Sequence, residues 1–369
     1  MFLRKLLLAL PLLPALLLPL PGLAGPQYTV TVLPDNFSGW AINNTGQVAG
    51  AFSPGNGNVH AALLFGGSIT DLGTLGGASA YAYALNEAGQ VTGTARASTG
   101  ITHAFLYSEG RMIDIGPAGD GFSEAYGINA SGQVVGRYRR ADGAINPFLY
   151  SHGEFKDLGN LGTGNFGGAY GINDAGTVVG ESVISPELHA RFHPFVYENG
   201  EMTSLGTLDN REFNGARAIN NAGQIAGYSE GPGGPMHAFL YENGVMTDLG
   251  TFGGRGLEVW DINELGMIVG TALPGDESRY LGFLYAGGEL LELNTLVDPA
   301  SGWDIRRASG INDLGQIIGW GCRADECSSL LLDLVSPVPE PDTYALLLVG
   351  MGLLVGFGRR QAPRSQAWS

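Results

Sequence analysis

GINDAGTVVG, residues 171–180, decides the fold, because it is one of seven versions of a single phrase. The others are AINNTGQVAG from Ala41, ALNEAGQVTG from Ala84, GINASGQVVG from Gly127, AINNAGQIAG from Ala218, DINELGMIVG from Asp261 and GINDLGQIIG from Gly310. The third residue is always asparagine (43, 86, 129, 173, 220, 263 and 312), so the period runs from 43 to 49 residues. A second phrase follows each: HAALLF from His60, HAFLY from His103, NPFLY from Asn146, HPFVY from His193, HAFLY from His237, GFLY from Gly282 and SSLLLDL from Ser328. N-D-A-G between two short apolar runs fits a type I turn followed by a left-handed glycine, which is a hairpin connection. S-E-G and E-N-G, before the M-T-D-L runs, repeat that chemistry.

Each unit is thus four short antiparallel strands. A period in the forties with four strands per unit is the pattern of a β-propeller blade. The last unit stops near Leu334 with three strands, while a lone strand, YTVTVL from Tyr28 to Leu33, precedes the first unit. That N-terminal strand is predicted to complete the seventh blade and close the ring, since an open array would leave both ends unpaired. The expected fold is all-β, a seven-bladed propeller over residues 25–336.

Glycine takes 60 of 369 positions, which in a periodic chain means turns rather than low complexity. The 19 basic and 35 acidic residues leave a net charge of −16. Such a surface repels nucleic acid and anionic membranes, so no nucleic-acid partner is expected.

The two ends read as addresses. Arg4 and Lys5, the Leu-rich run to Leu20 and the small residues before Gly25 form a secretory signal peptide over 1–24, cleaved between Ala24 and Gly25. In an exported protein Cys322 and Cys327, the only cysteines, read as a local disulfide. Two thiols without nearby histidines make a poor metal site, and no cofactor is expected. At the other end, an apolar helix over 344–357 would be roughly 21 Å long, against roughly 30 Å of hydrocarbon. Arg359 and Arg360 would hold its far end on the cytoplasmic side.

Pro339-Glu340-Pro341, the apolar stretch and the Arg359-Arg360 pair over residues 337–369 resemble the PEP-CTERM sorting signal of Gram-negative bacteria. The resemblance implies an exosortase-type processing enzyme as partner and transient inner-membrane association through the tail. It further implies delivery to the cell surface or extracellular matrix. The alternation of the two internal phrases over residues 41–334 resembles the HAF family of extracellular repeats, which implies no particular activity.

In an up-and-down blade the turns after the first and third strands share one face of the disc. The connections after the second and fourth strands share the other, and they vary, as a binding face on a fixed scaffold does. The longest fourth-to-first connection, residues 297–307 (VDPASGWDIRR), carries Trp303, Asp304, Arg306 and Arg307. The longest second-to-third connection is ESVISPELHARF, residues 181–192. Immediately before each asparagine phrase stand Trp40, Tyr83, Tyr126, Tyr170, Arg217, Trp260 and Ser309. If the first strand is innermost, these ring the channel mouth. Packing between blades explains a repeated aromatic most simply, and stacking on sugar rings is the functional alternative. Arg217 and Ser309 break the pattern, as does Asp261, an acid where other units have Ala or Gly.

His60, His103, His193 and His237 share one repeat position, so they fall in different blades, about 10 Å or more apart, too far for the roughly 2 Å bonds of one zinc site. Two motif matches carry no weight in so Gly-rich a chain. G-x-S-x-G at 227–231 lies after a strand inside a blade, and G-x-G-x-x-G at 162–167 precedes no helix.

The leading expectation is a non-enzymatic surface or matrix protein binding exopolysaccharide or another extracellular partner. The rivals are a polysaccharide lyase or glycoside hydrolase and a self-associating structural protein. A glycosidase needs two carboxylates about 5–10 Å apart, and Glu124, Glu258, Asp261 and Asp304 are the candidates. Replacing Pro339-Glu340-Pro341 by alanines is expected to leave the tail attached. Intact-mass measurement on the exported protein checks this, and normal processing of the variant removes the sorting interpretation.

Overall fold

The repeated asparagine turns back onto its own loop. In Asn173, Oδ1 accepts the backbone N–H of Thr177, and the Gly176 N–H donates to the Asn173 carbonyl. Gly176 has φ +81°, the left-handed conformation that ends the turn. The computed structural model that shows this describes residues 27–117, 121–185, 191–275, 279–324 and 326–335. They form seven four-stranded antiparallel sheets, six of them in simple chain order. The seventh is built from Gln27–Val32, Glu326–Val335, Ile317–Arg323 and Asp304–Ile311, from rim to centre. The N-terminal strand pairs with Glu326–Val335 from Gln27↔Val335 to Val32↔Leu330, so both ends of the described chain meet in one blade and the ring is closed.

The asparagine has a second task that its spacing alone does not reveal. Each Nδ2 reaches the asparagine carbonyl of the next blade: 43 to 86, 86 to 129, 129 to 173, 173 to 220, 220 to 263, 263 to 312, and 312 back to 43. These seven bonds, 3.0–3.3 Å long, make a continuous circle around the channel. All seven asparagines are 3–6% exposed, so the circle is dry enough for each bond to count. The following residue adds a partial outer circle. The Asn44 N–H donates to Glu87, Asp174 to Asn221, Glu264 to Asp313, and Asp313 to Asn44. This accounts for the acids in that turn.

Every innermost strand also carries a β-bulge. The register skips Trp40, Tyr83, Tyr126, Tyr170, Arg217, Trp260 and Ser309 in turn. A bulge re-aims one residue out of the ladder, and here it points that residue at the channel. It also brings a carbonyl of the inner strand against the second strand. A Cβ on Gly136 or Gly180 would overlap the Glu124 or Gly168 carbonyl oxygen, which explains the glycine ending every phrase. Across from five of those glycines lie Phe105, Phe148, Phe195, Phe239 and Phe283, all fully buried.

Three expectations need correction. The turns after the third strands are not type I turns. Glu109–Gly110, His152–Gly153, Asn199–Gly200 and Asn243–Gly244 all have positive φ at both residues, the type I′ geometry that matches strand twist. Asp304, Arg306 and Arg307 belong to the innermost strand Asp304–Ile311 rather than to a loop, which is instead folded into short turns at Leu293–Thr295 and Pro299–Ser301. Glu181, Ser182 and Val183 belong to the strand Val178–Val183, not to a connection.

Cys322 and Cys327, register partners on adjacent strands, are disulfide-bonded. The signal peptide with Ala24 and Gly25, and the tail with Pro339, Glu340, Pro341, the 344–357 helix, Arg359 and Arg360, lie outside the described residues. No helix among the described residues is long and apolar enough to cross a membrane.

Asn220→Ala removes the bond to blade six and leaves the Gln224 N–H without its acceptor. The expected loss of stability is about 1–3 kcal/mol, the cost of an orphaned buried donor. Denaturant unfolding measures it, and an unchanged midpoint contradicts the role given to the circle.

Candidate functional site

Three layers of side chains descend the channel. The asparagine circle is invariant, and above it the bulged residues pack on one another. Trp40 meets Tyr83 edge-on at 5.9 Å, Tyr83 stacks on Tyr126 at 6.0 Å, Tyr126 lies 5.1 Å from Tyr170, and the Arg217 guanidinium sits 4.1 Å above Tyr170. These residues line the channel and pack on one another from blade to blade, the simpler of the two readings.

The third layer, at the mouth, is variable. It consists of the residue after each second-strand glycine and its partner on the inner strand: Tyr81 with Thr94, Glu124 with Arg137, Glu258 with Thr271, Arg307 with Trp320. In blade three the Arg137–Glu124 ion pair is 2.6 Å long, and the Tyr126 hydroxyl donates to the same carboxylate. In blade four Glu181 accepts from the hydroxyls of Tyr170 and Tyr228, both at 2.8 Å, with Arg217 at 3.7 Å. Burial, then the Glu181 charge, pushes the Tyr170 hydroxyl up to about 12, so it stays a donor. Arg217 is thus enclosed by its own partners.

Blades six and seven differ. Their mouth layer opens into a groove of about 1000 Å³ lined by Glu258, Trp260, Arg279, Tyr280, Arg307 and Trp320, among others. Trp260 and Trp320 are each 37% exposed. Trp260 is oriented by its Nε1–H bond to Thr271 Oγ1, 3.1 Å, and the Arg307 guanidinium lies 4.5 Å over its ring. Ser309, the one small residue at the bulge position, borders a further pocket of about 300 Å³ with Trp40 and Trp320. Arg279 and Arg306 are both paired with Asp304, at 3.1 and 2.9 Å. Arg307 has no such partner among the described residues, and its Nε is buried without an acceptor. Burial lowers the Arg307 pKa, against which the Glu258 charge acts.

The groove therefore unites Trp260, Arg306 and Arg307, with Trp40 adjoining. Trp303 lies elsewhere, packed on the core of blade seven beneath the Arg323 guanidinium at 4.9 Å. Asp261 lies deeper in the channel wall, its carboxylate accepting the N–H groups of Ile262 and of Ile311 in the next blade. Sequence reasoning missed Trp320 and Tyr280, while Glu258, one of the four candidate carboxylates, does line the groove. The available signal was that the position after the second-strand glycine varies more than any neighbouring one. The four candidate carboxylates have separate surroundings: Glu124 with Arg137, Asp304 with two arginines, Asp261 on backbone, Glu258 in the groove.

The histidines bond within their own blades. His60, His103 and His237 Nδ1 meet Asp71, Asp114 and Asp248, and His193 meets Ser204, each 11 residues on. Burial, then Arg191, lowers the His193 pKa. No cluster able to hold a metal ion occurs among the described residues. Ser229 of the G-x-S-x-G match is buried and donates to Asn214.

Residues 337–364 match the PEP-CTERM protein-sorting motif. This motif signals export and surface- or membrane-associated sorting in Gram-negative bacteria, with processing by an exosortase. No curated protein matches the chain. Among solved structures, the β-propeller domain of the Trilobed protease from Pyrococcus furiosus, described as an open velcro topology, gives a TM-score of 0.56 at 10% identity over 82% of this chain and 95% of that one. A puromycin-hydrolyzing peptidase from Mycobacterium tuberculosis gives 0.55 at 11% over 81% and 52%, and the acylaminoacyl peptidase of Pyrococcus horikoshii 0.53 at 13% over 81% and 51%. The chain spans about half the length of these two peptidases. At such identities the likeness shows the propeller fold alone.

Asp261 supplies a pH test. Its pKa is raised to about 7 by burial, opposed by the two N–H bonds and reinforced by Asp313. Solvent reaches part of the side chain along the channel, but the surrounding blades remove most of its bulk water. The unfolded chain releases this proton near pH 4, so between about pH 4 and 7 the folded state binds more protons and stability falls as pH rises. Asp261→Asn lacks that term. The melting temperature of wild type minus variant is expected to decline from pH 4 to pH 8, and a constant difference contradicts the assignment.

Proposed function

We propose that this protein is an exported, surface-displayed or matrix-associated propeller that binds an extracellular polysaccharide without cleaving it. The reading rests on where the groove lies relative to the sorting motif. Gln27 and Val335 are register partners at the rim of blade seven, and Leu334 neighbours Gly315 of the asparagine turn. The chain thus runs on towards the sorting segment from the side of the asparagine turns. The groove is built from the starts of inner strands and the connections around Arg255, Arg279 and Tyr280, on the opposite face. A protein held or processed by its tail would present that face outward.

Exosed aromatic side chains with hydrogen-bonding neighbours are the usual chemistry for sugar rings, which offer an apolar face and a polar edge. The separate engagement of Glu124, Asp261 and Asp304 supports binding over glycoside hydrolysis, which requires two cooperating carboxylates. The secretory signal over 1–24, exosortase processing, passing inner-membrane contact of the tail and the HAF-like character of the repeats belong to this reading. Incubating the exported protein with the producer's exopolysaccharide tests it by retention and by new reducing or unsaturated ends. Retention without new ends is expected. New ends would make the protein an enzyme and direct attention to Glu258.

A further inference from the structure

At the channel mouth of this acidic protein, Arg307 has no hydrogen-bonded or ion-paired partner among the described residues, and it lies between the exposed tryptophans. Four other arginines near the mouth are paired: Arg137 with Glu124, Arg217 with Glu181, Arg279 and Arg306 with Asp304. Arg307 alone of these five has no hydrogen bond or ion pair, although its Nε is buried. Leaving a buried guanidinium donor unmatched is costly unless something else completes it. Glu258 lies on the groove wall but forms no hydrogen bond or ion pair with it among the described residues.

The geometry around Arg307 limits what can complete it. Its cross-strand partner is Trp320, its guanidinium lies over Trp260, and Ser309 leaves open the space that an aromatic residue fills in most other blades. A ligand for this place needs an anionic group with planar oxygens for the guanidinium. It also needs a flat apolar face for an indole. It must be short of bulk at its charged end, because the opening beside Ser309 is small.

We infer that the groove between blades six and seven binds a carboxylated sugar residue of an extracellular polysaccharide. Arg307 takes the carboxylate, and Trp260 and Trp320 take the faces of adjoining sugar rings. This rests on the polysaccharide-binding reading above and narrows it to uronate-type glycans. The anionic surface elsewhere repels such a polymer, so it engages only where the groove supplies a positive charge, and added salt weakens the contact less than it would a surface of loose lysines.

The test titrates the full exported protein with oligogalacturonate and with the same oligomer carboxyl-reduced to its neutral form, following tryptophan fluorescence and calorimetric heat. The charged oligomer is expected to bind at least tenfold more tightly than the neutral one. Arg307→Gln is expected to remove that preference. Ser309→Tyr, which restores the aromatic found in blades two to four, is expected to block both ligands while retaining the wild-type melting temperature. Equal binding of the two oligomers, with Arg307→Gln silent, overturns the inference and leaves the polysaccharide reading standing. Binding of a peptide carboxylate in preference to either oligomer overturns it as well. No binding of either oligomer, in a protein still retained on the producer's polysaccharide, places the contact outside this groove. Loss of that retention too overturns both readings.

Discussion

A circle of seven side-chain-to-backbone hydrogen bonds holds the structure in register. Each asparagine accepts from its own turn and donates to the carbonyl of the next, so each blade's loop is tied to its neighbour's. That coupling makes a chain of local hairpins into a closed object. The last link runs from Asn312 back to Asn43, across 269 residues. It depends on the N-terminal strand pairing into the seventh blade, so two closures of different chemistry, one at the hub and one at the rim, enforce the same topology.

Given that hub, the rest of each blade has little freedom. The bulge above the asparagine turns one side chain into the channel and pushes a carbonyl against the second strand, where only glycine fits. In five blades a phenylalanine of the third strand then fills the space over that glycine. Side-chain identity is free to vary where this chain of constraints ends, at the mouth layer. There Glu124 and Glu181 are consumed by arginine and tyrosine partners. In blade seven the same positions hold Arg307 and Trp320 beside a serine, and the wall opens instead of closing.

Blade number, strand order and ring closure were legible because they depend on spacing: seven asparagines, and a final unit one strand short. The disulfide partners were likewise close, five positions apart in the sequence. The bulge was not legible, because Trp40 or Tyr126 preceding Ala-Ile or Gly-Ile looks like ordinary strand alternation. Nor was the inter-blade role of Asn129, since a turn asparagine needs no second partner to be explained. Arg306 and Arg307 were read as loop residues, whereas an inner strand carries them. The inward packing of Trp303 onto the blade-seven core was not legible, because a tryptophan in a loop reads as exposed. Trp320 was overlooked because I-I-G-W reads as a plain strand until the register sets tryptophan opposite Arg307.

The claim that one asparagine circle locks all seven blades into a single cooperative unit can be tested by hydrogen exchange at the amides that donate to its carboxamides. These are Gln47, Gln90, Gln133, Thr177, Gln224, Met267 and Gln316. If the circle is closed, all seven exchange through global unfolding, with the same protection and the same dependence on denaturant. Graded protection that declines from one blade to the next, or early exchange confined to the first and last blades, would mean that the ring opens locally and the circle does not bind it together.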